Sequence, residues 1–152
     1  MRIVLQRVRR ASVAVAGDEV ARVGAGLLLL VGVEHGDDRA LAARMAAKVA
    51  ALRVFPGEAG RDFDRSLRDR GGEALVVSQF TLMGDVRRGN RPSWGAAAPP
   101  DHAEPLVQDF CEALAAQGVV VAQGVFGAHM EVSLVNDGPV TLVLRLGGRE
   151  GP

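Results

Sequence analysis

Leu75-Val76-Val77-Ser78-Gln79-Phe80-Thr81-Leu82, LVVSQFTL, begins as the uninterrupted apolar run of a strand buried on both faces and then turns polar within a single step. Ser78, Gln79 and Thr81 place hydroxyl and amide groups where burial is costly unless each finds a partner. Two readings follow. In one, the strand simply leaves the core and its polar side chains pair with neighbouring backbone. In the other, a strand end with small hydroxyls and free N–H groups lines the mouth of a pocket, the place where α/β sheets bind ligands.

Working outward, a second apolar run, Leu27 to Val33 (LLLLVGV), is too short for a helix and apolar on both faces, so it reads as a central strand. Before it, residues 2 to 8 (RIVLQRV) and 12 to 16 (SVAVA) carry β-branched residues with polar interruptions, and Gly17-Asp18 reads as the two-residue turn of a hairpin leading into EVARV. After it, Asp37 or Asp38 can cap a helix in which Leu41, Met45, Val49 and Leu52 form one apolar stripe that ends before Pro56-Gly57. Residues 57–72 (GEAGRDFDRSLRDRGG), with only Phe63 and Leu67 as anchors, read as a surface excursion, and MGDVRRGNRPSWGAAAPP as a second one whose length marks a functional or mobile loop.

A second helix follows, with Asp101 and Glu104 spaced as a capping box or, alternatively, Pro105 at its first position. Leu106, Val107, Phe110, Cys111 and Leu114 are its buried stripe, and Gly118 stops it. VVVAQ, HMEVSLV and, after a turn at Asn136-Asp137-Gly138, PVTLVLRL are three closing strands. The fold expected is a single α/β domain with mixed sheets: two strands, two strand–helix units and three strands, in three layers of helix on sheet on sheet. The sheets form a barrel-like pair with two helices on one face.

The 152 residues suit one domain, and 48% hydrophobic with 24% charged residues is globular composition. The longest apolar run falls far short of the ~20 residues of a membrane span, and MRIVLQRVRR has no signal-peptide core, so a cytoplasmic protein without membrane contact is expected. The single cysteine, Cys111, fits a reducing compartment. Eighteen basic residues balance eighteen acidic ones, so any nucleic acid must be held by local clusters: Arg2, Arg7, Arg9 and Arg10, or Arg87, Arg88 and Arg91 with Trp94. That second cluster is either a solvated loop or a groove offering charge to phosphates and a ring to a base.

His35, His102 and His129 have no second ligand at helix or hairpin spacing, so no metal is expected. Ser78 lies in V-V-S-Q-F rather than G-x-S-x-G, and neither helix opens with a glycine-rich phosphate loop, so neither a serine-hydrolase elbow nor a nucleotide cofactor is expected.

MRIVLQRVRRASV, SQFTL followed by RRGNRPSW and AAPP, and FGAHMEVSLVNDGPVTL together resemble the D-aminoacyl-tRNA deacylase family, in order and spacing, from Met1 to about Leu146. SQFTL with NDGPVT about 55 residues later is the specific part. The resemblance implies a deacylase-like domain over residues 1–146, with residues 147–152 as a flexible tail. It implies hydrolysis of the ester between a D-amino acid and the terminal adenosine of tRNA, and of misplaced glycine, by a cofactor-free homodimer with active sites at the subunit interface.

In that family Ser78, Gln79 and Phe80 supply backbone donors to the developing oxyanion, and substrate hydroxyl or water carries the proton. Thr81 is the rival nucleophile, although no activating group is evident for it. The resemblance further implies that Gly138-Pro139 is a cis dipeptide reaching into the other subunit's pocket to reject L-amino acids sterically, that Arg7 braces it, and that residues at or near Phe126 and Met130 contact the adenosine. The chain departs from the pattern at Met83, where an aromatic is common, at Asp64-Arg65-Ser66, which lacks a frequent asparagine, and at His129, which replaces a frequent acid. A tRNA-binding dimer without catalysis, and a general esterase using Thr81, are the competing readings.

Overall fold

The computed structural model describes residues 1–147, so residues 148–152 of the expected tail lie outside it. One strand, β1 (Arg2–Val15), organises the sheet. Its first half pairs antiparallel with β3 (Gly26–Gly32), its second half with β2 (Asp18–Val23), and its other edge runs antiparallel to β8 (Met130–Arg145). The central strand β3 is parallel to β6 (Glu73–Ser78), which is parallel to β7 (Val120–Gln123). The sheet order is therefore β2-β1-β3-β6-β7, with β8 on the far side of β1.

Alternation along these strands makes two cores, because successive side chains point to opposite faces. Leu27, Leu29, Val31, Ala74 and Val76 face the helices α1 (Arg39–Ala51) and α3 (Pro100–Ala115), joined by Ile3 and Leu5 of β1. Leu28, Leu75 and Val77 face the other way and meet Val8, Ala11, Val13 and Val23 in a second cluster. β1 thus contributes to the first core with its N-terminal half and to the second with its C-terminal half. The result is the expected three-layer α/β arrangement, with the barrel-like sheet pair continuous through β1.

Several local expectations are revised. Residues 2–8 and 12–16 form one strand: Arg9 and Arg10, exposed between the two buried halves, interrupt the hydrophobic pattern, and Arg9 is taken up as a bulge between the pairs Val8↔Asn136 and Arg10↔Val135, after which pairing with β8 resumes. The hairpin turn is Ala16-Gly17, one residue earlier than expected; both have positive φ (51° and 88°), the geometry of a type I′ turn, and Asp18 already pairs with Val15. Asp38 caps α1 by accepting from the Leu41 N–H at 2.8 Å, whereas Asp37 takes the Met1 ammonium at 2.6 Å.

The 57–72 excursion is partly ordered. Arg53–Phe55 (β4) pairs with Arg65–Ser66 (β5), and Ser66 and Asp69 form a capping box for the short helix α2 (Leu67–Arg70), whose Leu67 is fully buried. Helix α3 starts at Pro100 after Pro99, with no side-chain cap, so the Asp101–Glu104 box does not form and Pro105 lies inside the helix. The proline pair itself presets the start.

HMEVSLV and PVTLVLRL are a single strand, and Asn136-Asp137-Gly138 does not reverse the chain. Between the pairs Val8↔Asn136 and Gln6↔Thr141, β1 advances two residues and β8 five, so three residues bulge out. The Asn136 side-chain amide donates to the Arg7 carbonyl at 2.8 Å and to the Val140 carbonyl at 3.2 Å, spending its turn-forming capacity on closing the bulge.

Candidate active site

A cavity of about 520 Å³ opens at the carboxyl ends of the parallel strands β3 and β6, where the two cores meet. Val31, Val33 and Val77 form its base, and Ser78, Gln79 and Phe80 one wall. Ala97, Ala98, Pro100 and Ala103, from the long loop and the start of α3, face that wall, while Phe126 to Met130 close the remaining side. The structure therefore brings Ser78, Gln79, Phe80, Phe126 and Met130 to one cavity. His129 is the single ionisable side chain among the residues lining it.

After Ser78 the chain turns at once into a 3-10 turn, Phe80–Met83, whose first amides have no helical acceptor. Gln79 is different: its N–H donates to the Val31 carbonyl at 2.8 Å and is committed to the sheet edge. That leaves the Phe80 and Thr81 amides, at the start of the turn, as the backbone donors free of the ladder. Arg2 steadies the turn by donating through Nη1 to the Leu82 carbonyl at 3.0 Å.

Thr81 is exposed and does not line the cavity. Its hydroxyl accepts a hydrogen bond from the Gln79 side-chain amide. An amide N–H is a donor and takes no proton, so this partner cannot activate a nucleophile. Cys111 is removed from the chemistry as well, since burial, helped by the neighbouring Glu112, pushes its thiol up to about 12. Among the described residues no three His, Cys, Asp or Glu side chains cluster at ligand distance.

Arg7, Gly138 and Pro139 form a second group, outside the cavity. Arg7 is 92% buried in the strict sense that only 8% of its surface is exposed. Its Nη1 donates to the Val54 carbonyl at 2.6 Å and its Nε to the Asp137 carbonyl at 3.2 Å, with the Asp137 carboxylate also 3.2 Å away. Arg9 approaches the same carboxylate at 3.4 Å. The Gly138–Pro139 bond is cis, and Gly138 has φ +126°, where a Cβ would stand 2.9 Å from the Val140 nitrogen and 3.1 Å from Arg7 Nη2. No side chain fits there.

Of the departures from the family pattern, Met83 is buried against Gly32 and does not reach the cavity, and Asp64-Arg65-Ser66 sits by α2. His129 alone lies in the lining. Sequence reasoning missed the small residues of the facing wall, whose alanines carry no chemical signature, and missed Val54, Asn136 and Asp137 as partners of Arg7.

Two solved structures share this fold. One, a probable eukaryotic D-amino acid tRNA deacylase, superposes with a TM-score of 0.80 over 94% of this chain and 97% of its own at 16% identity, and shares its α/β fold. The other, a c-Myc DNA unwinding element binding protein, gives 0.92 over 97% and 100% of the two chains at 39% identity. A D-aminoacyl-tRNA deacylase of Thermomicrobium roseum is 63% identical over 144 residues, covering 95% of this chain and 93% of the relative. The family model for D-Tyr-tRNA(Tyr) deacylase matches residues 4–145, and the chain belongs to that family, a family of hydrolases acting on the aminoacyl-tRNA ester.

Proposed function

We propose that this protein hydrolyses the ester joining a D-amino acid to the 3′-terminal adenosine of tRNA, releasing the free amino acid and the tRNA. The observation that carries the reading is the cavity itself: a backbone-walled pocket at the SQF strand end, with two apolar contacts, Phe126 and Met130, suited to a base. Its lining offers no side-chain nucleophile with a partnered base. An aminoacyl ester is already activated and has a ribose 2′-hydroxyl beside it, so positioning and backbone donors suffice for much of the rate.

Water attacks the carbonyl carbon, and the negative charge that develops on its oxygen is met by the free N–H groups of Phe80 and Thr81, since the Gln79 N–H is held by the Val31 carbonyl. The bond to the ribose 3′ oxygen breaks, and that oxygen takes a proton relayed through the 2′-hydroxyl or water. Ser78 and Gln79 hold the wall, and Phe126 and Met130 hold the adenine. The unit performing this is residues 1–146, in the cytoplasm, where charged tRNA is found.

Chiral selection falls to Gly138-Pro139, braced by Arg7. Because this element lies outside its own chain's cavity, a second copy supplies it, placing active sites at the interface of a homodimer. The edge of β8 not paired with β1 supports such an interface, since a long open edge favours pairing or coverage. Main-chain atoms at the α-carbon reject L substituents by steric exclusion, and glycine, having none, is accepted. The esterase reading with Thr81 as nucleophile is disfavoured by the amide donor on its hydroxyl.

The test is to follow ester loss from one D-aminoacyl-tRNA, its L counterpart and glycyl-tRNA, over a range of protein concentration. Loss of the D and glycyl esters with the L ester spared is expected, with specific activity falling as dilution separates the subunits. Decay of all three at the buffer rate would leave a binding protein.

A further inference from the structure

The second arginine cluster belongs to no part of the cavity, yet it adjoins it through Phe80. That ring lines the cavity while 58% exposed, and its outer edge meets Trp94, itself 40% exposed, with ring centroids 5.5 Å apart at 74°. Single exposed apolar residues are ordinary, but two aromatics in contact at the mouth of a cavity make a contiguous patch of the kind that marks an interaction site. These two are also held in place. A Cβ on Gly84 would lie 2.7 Å from Trp94 Cζ3, so the indole rests against the backbone at the end of the 3-10 turn. The loop carrying it is closed by paired backbone bonds between Asp85 and Ser93, of 2.8 and 3.0 Å, and the Trp94 carbonyl accepts from the Ala97 N–H at 2.9 Å.

The tip of that closed loop carries Arg87, Arg88 and Arg91. Arg87 is committed to Asp85, at 2.6 Å, and this contact holds the Asp85 carboxyl well below the usual carboxylate range. Among the described residues no ion pair involves Arg88 or Arg91, and both are exposed. The rim thus offers a fixed aromatic pair and two uncommitted cations in succession. A peptide partner would be matched by alternating charges or an apolar groove. Stacking rings beside unpaired guanidinium groups match single-stranded nucleotides.

Resting on the deacylase reading above, we infer that the Phe80–Trp94 rim with Arg88 and Arg91 binds the unpaired nucleotides immediately preceding the terminal adenosine of the tRNA. One base stacks on the indole, and the phosphates lie toward the loop tip. The adenosine in the cavity is then continuous with a strand running out over Phe80. The rim distinguishes a polynucleotide ester from an isolated aminoacyl-adenosine without reading sequence, because every base has a face to stack.

The experiment compares kcat/KM for a D-amino acid esterified to the trinucleotide CCA and to adenosine alone. The trinucleotide ester is expected to be favoured about 10-fold, a typical value for one stacked base. Trp94→Ala and Gly84→Ala, the latter pushing the indole off its seat, should collapse that ratio toward one, and Trp94→Phe should preserve most of it. Since Trp94 is the sole tryptophan of the chain, uncharged CCA should quench its fluorescence and adenosine should not. The paired Arg88→Ser and Arg91→Ser changes should reduce the salt slope of CCA binding by about 1.4, roughly 0.7 per phosphate.

An unchanged ratio in Trp94→Ala together with no quenching by CCA overturns the inference. If the wild-type protein cleaves neither ester, the deacylase reading falls, and the quenching titration decides the rim by itself.

Discussion

The cavity and the Arg7–Gly138–Pro139 group are built on opposite principles. The cavity is assembled within one chain from apolar side chains and main-chain polar groups, with His129 as its one ionisable member. The second group is held by charge: a buried guanidinium clamps two carbonyls and a carboxylate around a residue that admits no side chain. The first can receive many ligands of similar outline. The second is a fixed object. If the proposed chiral selection holds, the pocket needs both kinds of construction, since a soft pocket alone could not refuse one hand at a single carbon.

The contrast breaks most visibly at Gly138. Gly138→Ala puts a methyl against Val140 and Arg7, and a displacement near 1 Å is expected to cost about 100-fold in D-aminoacyl-tRNA turnover. Binding of uncharged CCA should stay near wild type in the same variant, which a titration would show. A parallel loss of both would mean that the two regions are one structural unit. Pro139→Ala tests the same object and should relax discrimination or impair catalysis; unchanged chirality preference in a folded dimer would remove it from selection.

Arg7→Met is next. It strands the Val54 and Asp137 carbonyls, and the loss of a buried charged hydrogen bond predicts about 2 kcal/mol of stability by urea unfolding. Discrimination should relax because the brace is gone. Phe126→Ala, on the cavity side, should instead raise KM about 10-fold with the D over L preference intact. If Phe126→Ala altered chirality while Arg7→Met did not, the division of labour would be reversed.

Thr81→Ala is expected within about 3-fold of wild type in single-turnover assays, since the hydroxyl has only an amide donor for a partner. Total loss in a folded protein would restore it as nucleophile. The smallest effect concerns pH. Asp85 has its folded value depressed by Arg87, so its contribution is present above the ordinary carboxylate value of ~3.9 and is lost only as pH falls toward the depressed one. Trp94 emission should therefore be flat from about pH 8 to 5 and change only in stronger acid.

Much of the framework was legible because its signals are local. LLLLVGV could only be a central strand, and the stripe Leu41, Met45, Val49 is buried as its spacing requires. The misreadings share one cause, that residues serving a tertiary purpose look like punctuation. Arg9 and Arg10 looked like a break in β1, and Asn136-Asp137-Gly138 looked like a turn, yet both lie in strands carried through by pairing with a partner far along the chain. Of the two anchors expected in residues 57–72, Leu67 is fully buried and Phe63 is exposed. The cavity's polar wall was visible in LVVSQFTL, where hydroxyl and amide groups follow an apolar run without warning. Its alanine-lined face was not, and neither were the partners of Arg7, whose bracing role only the family resemblance suggested and whose carbonyl partner on Val54 is 47 residues away.

The three surplus residues of β8 have one more effect. Because β1 pairs with β8 on both sides of them, the protrusion is anchored at both feet, like an arch rather than a flap. Amides at Thr141 and Val143 on one flank and at Leu134 on the other should surrender their protons to deuterium slowly and together, as parts of one ladder. The arch between them can lengthen or shorten in the course of evolution without re-registering a single pair in the strands that carry it.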